Sequence, residues 1–195
     1  MYYDYYWRDY YGSSNYSSFA TLINNGKIRT DENILKLHLY ADRWNFICLP
    51  FDVKVSDIVN TTGTQFVIRG YDVVKRANAL MDETWYDMTG DDILEAGKGY
   101  IWHCAHTTYT DESGYQNNNY DIEFDVQALQ TVNKNNMFRT GNIEVELEEN
   151  LSEFPQNRSW NFIGNPYPSY FDTRAMNCTT PFTVWNRDYQ NYQAY

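Results

Sequence analysis

The chain has 195 residues, a formal net charge of −11, a sequence pI of about 4.6 and 19 tyrosines. Because nucleic acids and anionic membranes bind basic surfaces, a balance this acidic argues against both as partners. The sequence contains no apolar run long enough to cross a bilayer as a helix. Its first residues, Met1 to Trp7, carry neither the basic nor the aliphatic part of a signal peptide. An exported chain would therefore have lost its leader or come from a longer protein.

The predicted elements begin after a Tyr-rich N-terminal segment, residues 1–33, which we expect to lie over the surface of the fold. A first β-unit follows at residues 34–128. In it Leu35, Leu37 and Leu39 alternate with polar residues, and this period of two predicts a half-buried strand. The further strands of this unit are predicted at 44–49, 65–69, 84–86, 98–104 and 120–127. Residues 57–60 and 91–97 are each predicted to form a single helical turn. Residues 91–97 fit a helical turn because acidic residues begin the stretch and a glycine ends it.

Residues 129–195 are predicted to form a second β-unit. Its strands are expected at residues 143–148, where apolar residues alternate with three glutamates, and at residues 160–164 and 182–185. Many short strands separated by turns favour a sandwich or a barrel. The sequence therefore predicts an all-β fold, a β-sandwich made of two related antiparallel β-units.

An internal repeat relates the two units. Residues 44–51 read W-N-F-I-x-x-P-F and residues 160–167 read W-N-F-I-x-x-P-Y, at an offset of 116 positions (160 − 44). We expect each Trp to fill a large core volume, the Phe two residues later to share its face, and the Pro to end the strand by removing a ladder donor. The predicted repeat core consists of Trp44, Phe46, Pro50, Trp160, Phe162 and Pro166.

The second copy stops before the strand that closes the first. The first unit continues into Gly97-Lys98-Gly99-Tyr100, and the position matching Gly99 would be 215 (99 + 116), beyond Tyr195. Either the second unit is degenerate or the chain ends early. An early end would leave a strand edge open to pairing with another segment.

Residues 160–172, W-N-F-I-G-N-P-Y-P-S-Y-F-D, resemble the W-N-hydrophobic-hydrophobic-G-N-P-Y-P signature of a β-module in Bacteroidetes secreted and cell-surface proteins. The V-W-N of 184–186, the Y-x-x-Y of 192–195 and the G-K-G-Y of 97–100 resemble further parts of that module. The first copy departs from the signature, since Cys48-Leu49 replaces the Gly-Asn step. The resemblance implies an extracellular or cell-surface location, a β-sandwich, and a part in adhesion or in a glycan-directed surface protein. It supplies no catalytic residues.

The polar loop from His106 to Tyr120 is the best candidate contact surface in the sequence. It is too long for a tight hairpin, and it carries Tyr109, Tyr115 and Tyr120. Long loops in compact domains are often functional, and tyrosine can stack on a sugar ring or anchor a protein partner at low entropic cost. The alternative is a solvated loop whose tyrosines pack on the domain.

Two groups of polar residues are weaker candidates for chemistry. The cluster His103-Cys104-Ala105-His106 has no second pair of soft ligands to match it, and a strand would direct His103 and Cys104 to opposite faces. A strand would likewise place Asp121, Glu123 and Asp125 on one solvated face, whereas a glycosidase needs two carboxyls facing each other. Calcium in the polar stretch 111–119 is a further alternative, although the spacing is not that of an EF-hand.

The three cysteines, Cys48, Cys104 and Cys178, are expected to be buried thiols, with one disulfide and a third thiol as the alternative. The sequence predicts no catalytic residue, no metal and no cofactor. The favoured interpretation is a non-catalytic adhesion or structural module of a secreted or surface protein. Its partners would be other domains of that protein, or a protein or glycan ligand. A carbohydrate-binding module using exposed Tyr and Trp is the alternative, and a glycoside hydrolase fragment is a third.

Overall fold

The computed structural model describes residues 34–129, 142–149, 152–158, 160–167, 182–186 and 191–194. Strands dominate these residues, with one α-helix and three 3-10 turns at Val55–Asp57, Met81–Glu83 and Pro155–Asn157. None of the described helices is long and apolar enough to span a membrane. In chain order the elements are β1 Ile34–Tyr40, β2 Trp44–Ile47, β3 Val53–Lys54, β4 Ile58–Asn60, β5 Phe66–Tyr71, α1 Val73–Ala77, β6 Trp85–Met88, β7 Ile93–Leu94, β8 Tyr100–Cys104, β9 Thr107–Thr110, β10 Gln116–Asn119, β11 Asp121–Gln127, β12 Thr183–Asn186 and β13 Asn191–Ala194.

Two antiparallel sheets face each other across the core. The three-stranded sheet has the order β1-β11-β4, and the four-stranded sheet has the order β2-β8-β5-β6. Their inner faces meet at aromatic rings: the Trp102 ring lies 4.7 Å from that of Phe124, and the Phe66 ring lies 5.3 Å from it. Trp102 and Phe124 are fully buried, and burial of one such side chain stabilises a fold by roughly 1.5–3 kcal/mol. The predicted all-β sandwich is therefore confirmed.

The period of two in the sequence is what places the inner face of the three-stranded sheet. Leu35, Leu37 and Leu39 of β1 are buried, and they stand opposite Val126, Phe124 and Ile122 of β11 in the antiparallel register. The polar residues between them face outward. Each alternating strand thus presents an apolar face to the core and a polar face to water.

The two predicted helical turns are wrong, because tertiary pairing determines both segments. Residues 93–94 form β7, which pairs with Val53–Lys54 of β3. The segment 57–60 ends a 3-10 turn and then becomes β4, which pairs with the edge of β11. The α-helix α1 was not predicted; it begins at the N-cap Asp72, whose side chain accepts a hydrogen bond from the Lys75 amide.

The second unit departs from the predicted pattern more than the first. Residues 143–148 belong to no strand, and within 160–164 only Ile163 forms a bridge, to Lys98 of the first unit. The Asn161 side chain supplies part of the physical reason. Its Nδ2 donates to the Glu148 carbonyl, and its Oδ1 accepts from the Glu148 amide. The Asn161 side chain thus makes the two hydrogen bonds with the Glu148 backbone that a neighbouring strand would make in a sheet. The predicted strand at 182–185 is present as β12.

The predicted repeat core is wrong for the two tryptophans. Trp44 is 38% exposed and Trp160 is 44% exposed. The register of β2 against β8 pairs Trp44 with His103 and Phe46 with Ile101, on the outer face of the four-stranded sheet, while Ile47 faces the core. Phe46 and Phe162 are half-buried, and Pro50 and Pro166 are buried.

Candidate contact surface

The segment predicted as a long loop, His106 to Tyr120, is a β-hairpin. Strands β9 and β10 pair in an antiparallel register, with Tyr109 opposite Asn117 and Thr110 opposite Gln116. Five residues, 111–115, connect the two strands. Tyr109 and Asn117 are opposite each other and share a face of the hairpin. The Asp111 amide also donates to the Tyr115 carbonyl at 2.9 Å, which extends the pairing by one position beyond the strands and places Tyr115, two residues before Asn117, on that same side.

The Asp111 carboxylate organises the turn of this hairpin. Its Oδ1 accepts hydrogen bonds from the amides of Ser113 and Tyr115, each at 3.0 Å, and its Oδ2 accepts one from Asn117 Nδ2 at 2.9 Å. These bonds hold the pKa of Asp111 below its ordinary value, with the Asn117 bond as the largest cause. Gly114 takes a φ of +83°, a conformation that suits glycine. The predicted calcium alternative is weakened, since both oxygens already accept bonds from N–H donors.

The tyrosines of the hairpin differ in their surroundings. Tyr109 is 55% exposed and Tyr115 is 73% exposed, so both rings are presented to solvent from a turn that is fixed by hydrogen bonds. Tyr120 lies at the base of the hairpin and is half-buried against the core. Of the three residues predicted to bind a ligand, two therefore lie on one exposed surface, and the third supports it.

Hydrogen bonds and ring contacts fix the base of the hairpin to the sandwich. Asp42, in the turn between β1 and β2, accepts hydrogen bonds from the His106 amide at 3.1 Å and pairs with the His106 ring at 2.6 Å. The Tyr120 ring stacks on Tyr40 with centroids 5.5 Å apart and planes at 10°, and the Arg43 guanidinium lies 4.2 Å from the Tyr40 ring centre. Desolvation raises the pKa of Asp42, but the hydrogen bonds from His106 have the larger combined effect, so the pKa of Asp42 lies below its ordinary value. No sequence pattern predicts this pairing, since the partners are 64 residues apart.

The soft-ligand cluster does not converge on one point. As predicted, His103 and Cys104 lie on opposite faces of β8: Cys104 is buried in the core, where burial raises the pKa of its thiol to about 11, and His103 lies on the outer face. Among the described residues no group of three or more His, Cys, Asp or Glu could hold a metal ion. Cys48 is also buried, as expected, and Cys178 lies outside the described residues.

The carboxylates of β11 form one solvated face, as the alternation predicts, and Lys36 and His38 of β1 contact them. Lys36 Nζ lies 2.6 Å from Glu123 and 3.5 Å from Asp125. His38 contacts Asp121 through Nδ1 at 3.1 Å and Glu123 through Nε2 at 3.2 Å. The Lys36 bond is the main cause that lowers the pKa of Glu123. These three carboxylates lie side by side on one strand, which is not the facing arrangement that a glycosidase uses.

The outer face of the four-stranded sheet carries a second set of aromatic rings. Four of them, Phe46, Tyr71, Trp85 and Phe162, meet at interplanar angles of 55° to 80°. On the same face the Arg69 guanidinium lies 5.0 Å from the Trp44 ring, and Arg69 Nε is bonded to Asp87 at 2.7 Å. Rings that meet edge to face form a packed cluster, whereas a sugar-binding platform needs flat, exposed rings.

Comparison with known proteins gives no family for this chain: no family model matches it, and neither curated proteins nor solved structures contain a significant match.

Proposed function

We propose that this chain is a non-catalytic adhesion or structural module of a secreted or cell-surface protein, and that it makes contact through the β9–β10 hairpin. The observation that carries the proposal is the exposure of Tyr109 and Tyr115 on one face of a hairpin whose turn is tied by Asp111. An exposed tyrosine offers a large contact area and loses few rotamers on binding. A turn that is already ordered reduces the entropic cost further.

The charges of the chain support a contact role outside nucleic-acid binding. The net charge of −11 repels phosphate backbones. Among the described residues, the carboxylates of β11 are engaged by Lys36 and His38, which supports a solvated sheet face over an acid/base pair. The resemblance of residues 160–172 to a module of Bacteroidetes surface proteins supports export, with other domains of a larger protein as neighbours.

Carbohydrate binding is the second candidate function, and the composition of the hairpin face favours it. Tyr109 and Tyr115 share that face with the Asn117 amide and the Asp111 carboxylate. Sugars are recognised by aromatic stacking combined with hydrogen bonds to hydroxyls, so this mixture is suited to a glycan. The edge-to-face rings on the four-stranded sheet offer no comparable platform, so the hairpin is the better candidate for a sugar site.

The test is a screen of the folded chain against two arrays, one of glycans and one of purified extracellular proteins. We expect binding on at least one array, and we expect the double variant Tyr109→Ala, Tyr115→Ala to lose about tenfold or more in affinity, the effect of removing an interface anchor. Binding to glycans alone would favour the carbohydrate-binding module. Binding to proteins alone would favour adhesion.

Two further variants separate the tyrosines from the hairpin that presents them. The matched control, Thr110→Ala with Gln116→Ala, alters a cross-strand pair on the opposite, exposed face and is expected to bind as the parent does. Asp111→Ala keeps both tyrosines but removes the hydrogen bonds that order the turn. We therefore expect a smaller loss of affinity than in the double tyrosine variant. No binding on either array, or equal binding by the double tyrosine variant, would contradict the proposal.

A further inference from the structure

The second W-N-F-I motif inserts a phenylalanine into the first unit. The Phe162 ring lies 5.5 Å from Phe46, 6.1 Å from Tyr71 and 5.5 Å from Trp85, measured between ring centres. Its remaining side rests on Gly99, where an added Cβ would lie only 2.5 Å from the Phe162 ring. We call these four residues, Phe46, Tyr71, Trp85 and Gly99, the aromatic socket.

Backbone hydrogen bonds fix the inserted segment next to the socket. The Gly99 amide donates to the Phe162 carbonyl at 2.9 Å, and the Gly164 amide donates to the Gly97 carbonyl at 3.0 Å, on either side of the Lys98–Ile163 bridge. The Cys48 thiol also donates to the Asn165 carbonyl at 3.4 Å. This combination of main-chain bonds and one side-chain pocket is the mode by which peptides add to a sheet.

The inserted segment belongs to a larger arm with its own internal bonds. The described parts of this arm are residues 142–149, 152–158 and 160–167. Within it, the two hydrogen bonds between Asn161 and Glu148 join the inserted segment to the preceding one. The arm contacts the first unit at the socket and where the Ser152 hydroxyl donates to the Ala77 carbonyl at the end of α1. Twelve residues, 130–141, connect it to the end of the first unit, and 13 residue steps (142 − 129) can extend to roughly 43 Å.

We propose that the aromatic socket also accepts this arm from a second copy of the chain, so that two chains join by exchanging Phe162. The occupant is a second copy because every copy carries both the socket and the segment that fits it. The contacts made in exchange are those already made within one chain, so exchange gives up none of them. The intramolecular form is favoured at low concentration, because a short tether gives the arm a high effective concentration.

Complementary variants of the full chain test the exchange. Gly99→Val closes the socket and keeps the donor, whereas Phe162→Ala keeps the socket and removes the donor. Neither variant can fill a socket by itself, but a mixture of the two can fill one. We expect each variant alone to have the 23.1 kDa mass of one chain in light scattering after size exclusion, and the equimolar mixture to contain a species of twice that mass.

The controls keep the outcome decisive. Each variant is first required to show a cooperative melt; if Gly99→Val does not fold, Gly99→Ala replaces it as the socket variant, since its single added carbon already lies 2.5 Å from the Phe162 ring. The double variant Gly99→Val, Phe162→Ala mixed with Phe162→Ala contains no donor and should stay monomeric. A mixture that stays monomeric, or a complex that forms without any donor, would overturn the proposal. Glycan or protein binding by the hairpin should be unchanged in all these variants, which separates this test from that of the proposed function.

Discussion

The two copies of Trp-Asn-Phe-Ile have the same four side chains in two different settings. The first copy is strand β2, with four register pairs to β8 inside the four-stranded sheet. Among the described residues, the second copy makes a single bridge, through Ile163, and reaches the first unit mainly through the ring of Phe162. The tetrapeptide therefore does not determine whether it becomes a strand; an available neighbouring strand does.

Some roles are nevertheless shared between the copies, and asparagine has the clearest one. Asn45 Nδ2 donates to the Tyr40 carbonyl, and Asn161 Nδ2 donates to the Glu148 carbonyl. Tyr40 is the last residue of β1, the alternating segment before the first motif, and Glu148 lies at the end of the alternating segment before the second. In both copies the asparagine joins its motif to the segment that precedes it. In both copies, too, the proline is buried and the tryptophan is exposed.

The largest difference between the copies should appear at the isoleucines. Ile47 is 2% exposed in the core, whereas Ile163 is half-buried. We expect Ile47→Ala to lower the free energy of unfolding by about 2–5 kcal/mol, the range for removing a buried Ile. Ile163→Ala should cost about 1 kcal/mol, since less apolar surface is lost. Urea denaturation of the two variants measures both values, and equal losses would argue that the second copy is as deeply packed as the first.

A smaller and more equal effect is expected at the asparagines. Asn45 Nδ2 also donates to the carbonyls of Arg43 and Trp102, so Asn45→Ala removes the donor from three carbonyls of the sandwich. We expect losses of about 1–3 kcal/mol for Asn45→Ala and about 1 kcal/mol for Asn161→Ala. Thermal melts with matched Asn→Asp variants would check this. If neither alanine variant lowered the melting temperature, the asparagine hydrogen bonds would not be a stabilising role that the two copies share.

The strands of the first unit could be predicted because their alternation reflects burial directly. Leu35, Leu37 and Leu39 point to the core because that is the apolar side of a pleated strand. The same alternation at residues 143–148 predicted a strand that is not present, because a period of two indicates a suitable face and does not supply a partner. Strands β9 and β10 were missed for the opposite reason: Thr, Asn and Gln show no apolar alternation, and the hairpin depends on its turn.

The orientation of Trp44 could not be predicted, because a large apolar side chain in a strand predicts a position in the core. Its face depends on the register of β2 against β8, which places Ile47 inward and Trp44 outward. In the candidate site, the exposed positions of Tyr109 and Tyr115 agree with the prediction of a contact surface. The stacking of Tyr120 on Tyr40 and the His106–Asp42 pair required the fold, since neither partner is near in sequence.

The comparison depends on the second motif docking on the first unit through Phe162. Amide hydrogen exchange by NMR on the parent chain and on Phe162→Ala tests this docking most directly. We expect the Gly99 and Gly164 amides to be protected in the parent, because they donate to the carbonyls of Phe162 and Gly97. In the variant that protection falls at both glycines, while the amides of β1 and β11 keep theirs. Unprotected Gly99 and Gly164 amides in the parent, or protection unchanged in Phe162→Ala, would contradict the docking of the second motif.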